Sequence, residues 1–166
     1  MTALPGTLAN GVLINDQGIL GSTKPVVGTM QFGPNPYTPN VSVSGAPFTN
    51  QLYVSIDGET PQFVPEGAID SGGQWGLIPQ SVDPYLTPTN GFLPPHTTVA
   101  VYVDGSNGMQ QLYSITTGTQ TNWNPGNDPA FGSGYTNFNT GLFPFSFNPI
   151  YLSYSPSGLG TIYIDS

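Results

Sequence analysis

Glycine and proline break this chain so often that long helices are ruled out: 22 Gly and 18 Pro are spread along 166 residues. Glycine opposes a helix through its backbone entropy, and proline through its missing N–H. Between them lie short apolar or alternating runs separated by turn clusters, the pattern of an all-β domain. Aromatic residues at 12% of the chain, with many β-branched ones, supply apolar surface that a disordered Gly- and Pro-rich segment lacks. A chain of this length buries roughly 70% of the surface its unfolded form exposes, so one core and a single β domain over residues 1–166 are expected.

Strands are expected near Gly11–Ile14, Gly28–Phe32, Leu52–Ile56, Phe63–Ile69, Thr98–Val103, Gln110–Thr116, Ile150–Ser155 and Thr161–Asp165. Two hairpins stand out. Val99–Val103 and Gln111–Ile115 flank Asp104-Gly105-Ser106-Asn107-Gly108, whose small polar residues tolerate left-handed backbone. Ile150–Tyr154 and Thr161–Ile164 flank Pro156-Ser157-Gly158. The stretch Gly118–Gly141, with Trp123, Phe131, Tyr135 and Phe138 among Asn, Gly and Pro, reads as a long surface loop pinned by its aromatics. Apart from the turn-rich Gly33–Gly45 there is no domain linker, and no repeat or heptad.

Charge narrows the function classes. Charged residues are 6% of the chain, the formal net charge is -8, and Lys24 is the only strong base. Phosphate neutralisation dominates nucleic-acid affinity, so a nucleic-acid partner is excluded, and docking on anionic lipid lacks its cations. No apolar run approaches the ~20 residues of a spanning helix. Met1-Thr2-Ala3-Leu4-Pro5-Gly6 has neither a basic region nor a long apolar core, so it does not read as a signal peptide. The absence of cysteine removes disulfides and thiolate chemistry. His96, the sole histidine, is read as a solvated loop residue in Pro94-Pro95-His96-Thr97, and neither a metal nor a cofactor is expected.

Chemistry concentrates in Ala68-Ile69-Asp70-Ser71-Gly72-Gly73-Gln74-Trp75-Gly76-Leu77-Ile78-Pro79. Apolar residues lead straight into Asp-Ser-Gly and an apolar Gly-Leu-Ile follows, which suits a carboxylate held in a tight turn at the end of a buried strand. Serine at the second position can hydrogen-bond across such a turn, and glycine at the third lets two turns approach without a Cβ clash. Two carboxylates so placed cannot both ionise; they share a proton and activate one water for attack on a peptide carbonyl. An ordinary polar turn would use the same three residues, and the tripeptide alone does not separate the two. Trp75 is a candidate for a substrate pocket, with packing against the core as the competing use of its large apolar area.

Other candidates are weaker. Asp104-Gly105-Ser106 has the wrong order and sits in a hairpin turn. Tyr163-Ile164-Asp165-Ser166 begins like the motif, lacks its glycine, and reads as a strand end. No Gly-x-Ser-x-Gly elbow supports a serine nucleophile.

Several segments carry a resemblance. They are Thr2–Gly6 with Gly11–Ile14, Met30–Pro36, Val43–Pro47, Ala68–Gly73, Asn139-Thr140-Gly141 and Pro149–Gly158. In order, and over nearly the whole chain, they resemble the C-terminal half of the pepsin-like domain of the mycobacterial PE family proteases.

The resemblance implies one lobe of a two-lobed aspartic protease, each lobe giving one Asp-Thr/Ser-Gly turn to a cleft between them. Asp70 would be the catalytic aspartate, with Ser71 and Gly72 shaping its turn. No second Asp-Thr/Ser-Gly exists in the chain, so a dyad acting on polypeptide would need a second copy or a separate N-terminal lobe. In pepsin-like lobes an apolar pair followed by glycine supports the catalytic turn; here Thr140-Gly141 follows the polar Asn139. The family also implies a secreted or cell-envelope location. A single carboxylate leaves a second reading open: a catalytically inactive cell-surface module that keeps the half-barrel and binds a protein or glycan.

Overall fold

The computed structural model describes residues 4–16, 28–45, 48–73, 75–118, 128–155 and 160–165. Among these the chain forms β1 (Gly11–Asn15), β2 (Thr29–Phe32), β3 (Val41–Ser44), β4 (Phe48–Thr49), β5 (Leu52–Ile56), β6 (Gln62–Val64) and β7 (Gly67–Ala68). It continues with β8 (Leu77–Pro79), β9 (Thr98–Gly105), β10 (Gly108–Thr116), β11 (Ala130–Gly132) and β12 (Phe138–Asn139). A short helix α1 (Phe143–Phe147) follows, then β13 (Ile150–Ser153) and β14 (Thr161–Ile164). Two short 3-10 helices, Gly6–Asn10 and Gln80–Val82, complete the described elements.

The strands build three sheets, ordered β2-β1-β13-β14-β3, β10-β9-β5-β6 and β11-β8-β12-β7-β4. None closes into a barrel, and the architecture is the all-β lobe that the sequence predicts. Alternation explains the core. In β9, Val99, Val101 and Val103 are fully buried while Thr98, Ala100 and Tyr102 are only partly so. Antiparallel pairing sets these valines opposite Ile56, Val54 and Leu52 of β5. Burial of each such side chain contributes about 1.5–3 kcal/mol.

The structure departs from the sequence reading in several places. The expected strand Phe63–Ile69 is broken at Pro65-Glu66, where proline offers no N–H and Glu66 adopts φ 55°. Its two pieces, β6 and β7, join different sheets. Gly33–Gly45 is not merely turn: it contains β3, paired with β14 as Val41↔Ile164 through Ser44↔Thr161. The stretch Gly118–Gly141 is not a surface loop over its described part, because β11 and β12 lie within it and Phe131 and Phe138 are fully buried. Leu77–Pro79, which the sequence reading left outside any strand, forms β8 between β11 and β12. Lys24, Trp123 and the turn Pro156-Ser157-Gly158 lie outside the described residues.

Both expected hairpins form. In the first, the strands run on through Gly105 and from Gly108, leaving Ser106-Asn107 as a two-residue turn. In the second, Ile150 pairs with Ile164 and Leu152 with Ile162.

One irregularity connects the first hairpin to the region of interest. The β9–β10 register shifts between Gln111 and Tyr113, and such a bulge re-aims the side chains beside it. Leu112 and Tyr113 are consequently both buried. Tyr113 stacks on Phe143 at 5.6 Å and on Phe147 at 6.2 Å between ring centroids. The Asn148 side chain donates to the Leu112 carbonyl at 2.7 Å, so α1 is docked on the bulge. Burial pushes the Tyr113 phenol above its ordinary range.

Candidate active site

The third sheet brings three distant segments together. β7 and β12 run parallel, with Gly67 beside Phe138 and Ala68 beside Asn139. On its other side Asn139 pairs antiparallel with Leu77 of β8. The chain therefore leaves along β7, turns through Asp70, and returns as β8, with β12 inserted between the two arms. Ile69, 1% exposed, anchors the start of the turn in the core. Asp70 is half-buried, and Ser71 and Gly72 are exposed.

The turn is held by its own backbone and by β12. Gly73 N–H donates to the Asp70 carbonyl at 3.2 Å, and Gly76 N–H to the Gly73 carbonyl at 3.0 Å. Gly72 N–H donates to Asp70 Oδ1 at 3.0 Å, so the Asp70 carboxylate itself closes a bond across the turn, and the Ser71 side chain is exposed. Thr140 N–H donates to the Ala68 carbonyl at 2.9 Å. Asp70 N–H donates to Thr140 Oγ1 at 3.4 Å, and that hydroxyl donates to the Gly141 carbonyl at 2.9 Å.

Asn139 completes the arrangement. Its Nδ2 donates to Asp70 Oδ2 at 2.9 Å, and its Oδ1 accepts from Gly141 N–H at 2.7 Å. The sequence flagged Asn139-Thr140-Gly141 as a departure from the apolar pattern that supports such turns. The structure nevertheless seats all three residues against the turn, supporting it through hydrogen bonds.

Trp75 is half-buried and packs against the core, its ring 5.9 Å from Phe143. The aromatic chain Trp75–Phe143–Tyr113 thus ties the end of the turn to the bulged hairpin. Asp104 lies apart in β9, where Gln51 brackets it: its N–H donates to the Gln51 carbonyl at 2.8 Å and its carbonyl accepts from Gln51 Nε2 at 2.6 Å. Asp165 is fully buried, at 0% exposure, and its Oδ1 accepts from Asn35 Nδ2 at 3.2 Å. His96 is exposed in a turn with φ 68°, and its N–H donates to the Thr117 carbonyl. Among the described residues, none of Asp104, Asp165 and His96 is hydrogen-bonded to the Asp70 turn.

Residues 1–162 match the PE-PGRS C-terminal aspartyl peptidase-like domain. The chain belongs to this family. It is 43% identical over 164 residues to PE cleavage protein A of Mycobacterium tuberculosis, in strains CDC 1551 / Oshkosh and ATCC 25618 / H37Rv. It is 39% identical over 163 residues to PE cleavage protein A of Mycobacterium marinum strain ATCC BAA-535 / M. Each alignment covers 98% of this chain and 25% of the relative, so the chain spans about a quarter of the length of the relatives it matches. Among the described residues, no helix is long and apolar enough to cross a membrane.

Proposed function

We propose that this lobe contributes Asp70 to an aspartic endopeptidase whose dyad is completed by a second copy of the chain or by a separate lobe. The observation that carries the reading is the turn itself: a half-buried carboxylate at the end of a buried strand, with each oxygen met by an N–H donor. A second carboxylate facing it would share its proton, and the pair would activate one water toward a peptide carbonyl. Gly72 supports an approach from outside. Among the described residues outside its chain neighbours, a Cβ there would meet nothing closer than Asp70 Oδ1 at 3.4 Å, which leaves room beside the carboxylate. Membership in an aspartyl peptidase-like family supports the same chemistry. Secretion to the cell envelope is part of this reading, through the mycobacterial relatives.

The test is cleavage of a mixed peptide library at mildly acidic pH by the protein alone and with an added N-terminal lobe, beside Asp70→Asn. Cleavage that disappears in the variant, in whichever assembly shows it, is the expected result. Sedimentation of the active species then separates a homodimer from a two-lobe complex. Cleavage unchanged by Asp70→Asn would remove the proposal. No cleavage in any assembly, and no affinity for a peptidomimetic inhibitor, would leave the binding-module reading in its place.

A further inference from the structure

Asn139 is polar at a place where the pattern of such lobes calls for an apolar residue, and its amide has work to do at both ends. A carboxamide can present either oxygen or nitrogen to a neighbour, and the choice is set by the hydrogen bonds around it. Gly141 N–H is a donor and demands the oxygen; it lies 2.7 Å from Asn139 Oδ1. That leaves Nδ2 to face Asp70 Oδ2, 2.9 Å away, and a carboxylate oxygen is the acceptor it needs. The amide therefore has one orientation, fixed from the Gly141 side and delivered to Asp70.

The carboxylate is pinned in turn. Oδ1 is held by the Gly72 N–H within the turn, and Oδ2 by a side chain from another strand. Two tethers of independent origin stop the carboxylate plane from rotating about its bond to the chain, and each oxygen keeps a lone pair for a water or a facing group. Gly73 supplies the room. A Cβ at Gly73 would stand 2.8 Å from Asp70 Oδ2 and 2.8 Å from Asn139 Oδ1, so the two side chains would have to move apart. Its φ lies outside the left-handed region, so space, not backbone conformation, is what requires glycine there.

We propose that Asn139 is the positioning residue of the Asp70 carboxylate, and that Gly73 keeps open the gap through which it reaches. The assignment rests on the endopeptidase reading for its catalytic meaning, because a carboxylate's aim matters only where it acts on a water. Misplacing a reacting group by about 1 Å costs on the order of 10²-fold in rate, so loss of one tether is expected to lower kcat about 10–100-fold. Asn139 reaches Asp70 from within the lobe, so KM should stay near the wild-type value.

Two readouts test this. The first is the pair of Asn139 Nδ2 protons in 15N–1H spectra of the chain. One of them should be shifted downfield and protected from exchange, and both properties should vanish in Asp70→Ala and in Gly73→Ala. The second is steady-state cleavage by the assembled enzyme carrying Asn139→Leu, which removes the donor to Asp70 without setting a second carboxyl beside it. A fall in kcat with KM unchanged supports the assignment. Asn139 protons that are alike in the wild type and Asp70→Ala, or a wild-type kcat in Asn139→Leu, overturn it. Should Asn139→Leu fail to fold, Gly73→Ala carries the kinetic arm. If the assembled wild type cleaves nothing, the endopeptidase reading falls, and the amide spectra still decide whether Asn139 orients Asp70.

Discussion

The backbone N–H of Asp70 donates to Thr140 Oγ1 across 3.4 Å, although the two residues are 70 apart in the chain. Thr140 is 1% exposed, and the same hydroxyl donates to the Gly141 carbonyl at 2.9 Å. One hydroxyl thus satisfies a donor that opens the Asp70 turn and an acceptor beyond β12. Thr140→Val keeps the volume and strands both partners, so it should cost about 1–3 kcal/mol in urea denaturation. Thr140→Ser, which retains the hydroxyl, should recover most of that loss. Equal stability of the valine and serine variants would mean that the hydroxyl contributes nothing.

Gly76 offers a test of crowding at the same place. It adopts φ 71°, and a Cβ there would stand 2.3 Å from the Asn139 carbonyl oxygen. Gly91 adopts φ 84° with nothing within 4 Å of an added Cβ. Left-handed backbone alone costs a non-glycine residue about 1–2 kcal/mol, which sets the expected loss for Gly91→Ala. Gly76→Ala carries that cost plus the collision, and its denaturation midpoint should fall well below that of Gly91→Ala. Matching midpoints would show that the turn and β12 are not packed as described.

Asp165 should make stability fall as pH rises. Burial holds its carboxyl above the ordinary 3.8, opposed in part by the Asn35 hydrogen bond, and its Oδ2 is buried with no hydrogen-bond partner among the described residues. The unfolded chain releases this proton first. Between 3.8 and the raised folded value the folded state binds more protons, so the contribution is whole below that window and lost above it. Asp165→Asn removes the ionisation. The variant should be at least as stable as the wild type at neutral pH and should gain less on mild acidification. Parallel pH profiles for the two proteins would eliminate Asp165 as the source.

Phe131 and Phe138 are each 0% exposed. Truncating a buried Phe to Ala costs about 3–5 kcal/mol, and either substitution should lower Tm by an amount that a surface-loop aromatic would not. Tyr135, exposed between them, is the internal control, and Tyr135→Ala should leave Tm nearly unchanged.

These two phenylalanines mark where sequence reading stops. Period-two alternation reveals β9 and β5 because they are long enough to repeat it, and turn chemistry reveals both hairpins. β7, β11 and β12 are two or three residues long, too short for any period, and their partners lie far along the chain. Their aromatics consequently look like loop anchors until the parallel pairing is seen. The Asp70 turn is legible because its apolar approach and its Gly-rich exit are contiguous. The contribution of Asn139 is not, since a hydrogen bond between residues 69 apart leaves no trace in local pattern.

The parallel pairing of Gly67 with Phe138 also fixes an order of events. Closing a chain loop of that length costs entropy before any pairing energy is returned, whereas the β9–β10 hairpin closes over a two-residue turn. The hairpin can therefore form early and locally, and the setting of Asp70 must wait for the segment that completes it. A chain still emerging from the ribosome, or cut anywhere before Asn139, carries the aspartate without the strand, the amide and the hydroxyl that aim it. Its carboxylate stays unaimed until synthesis has passed that point.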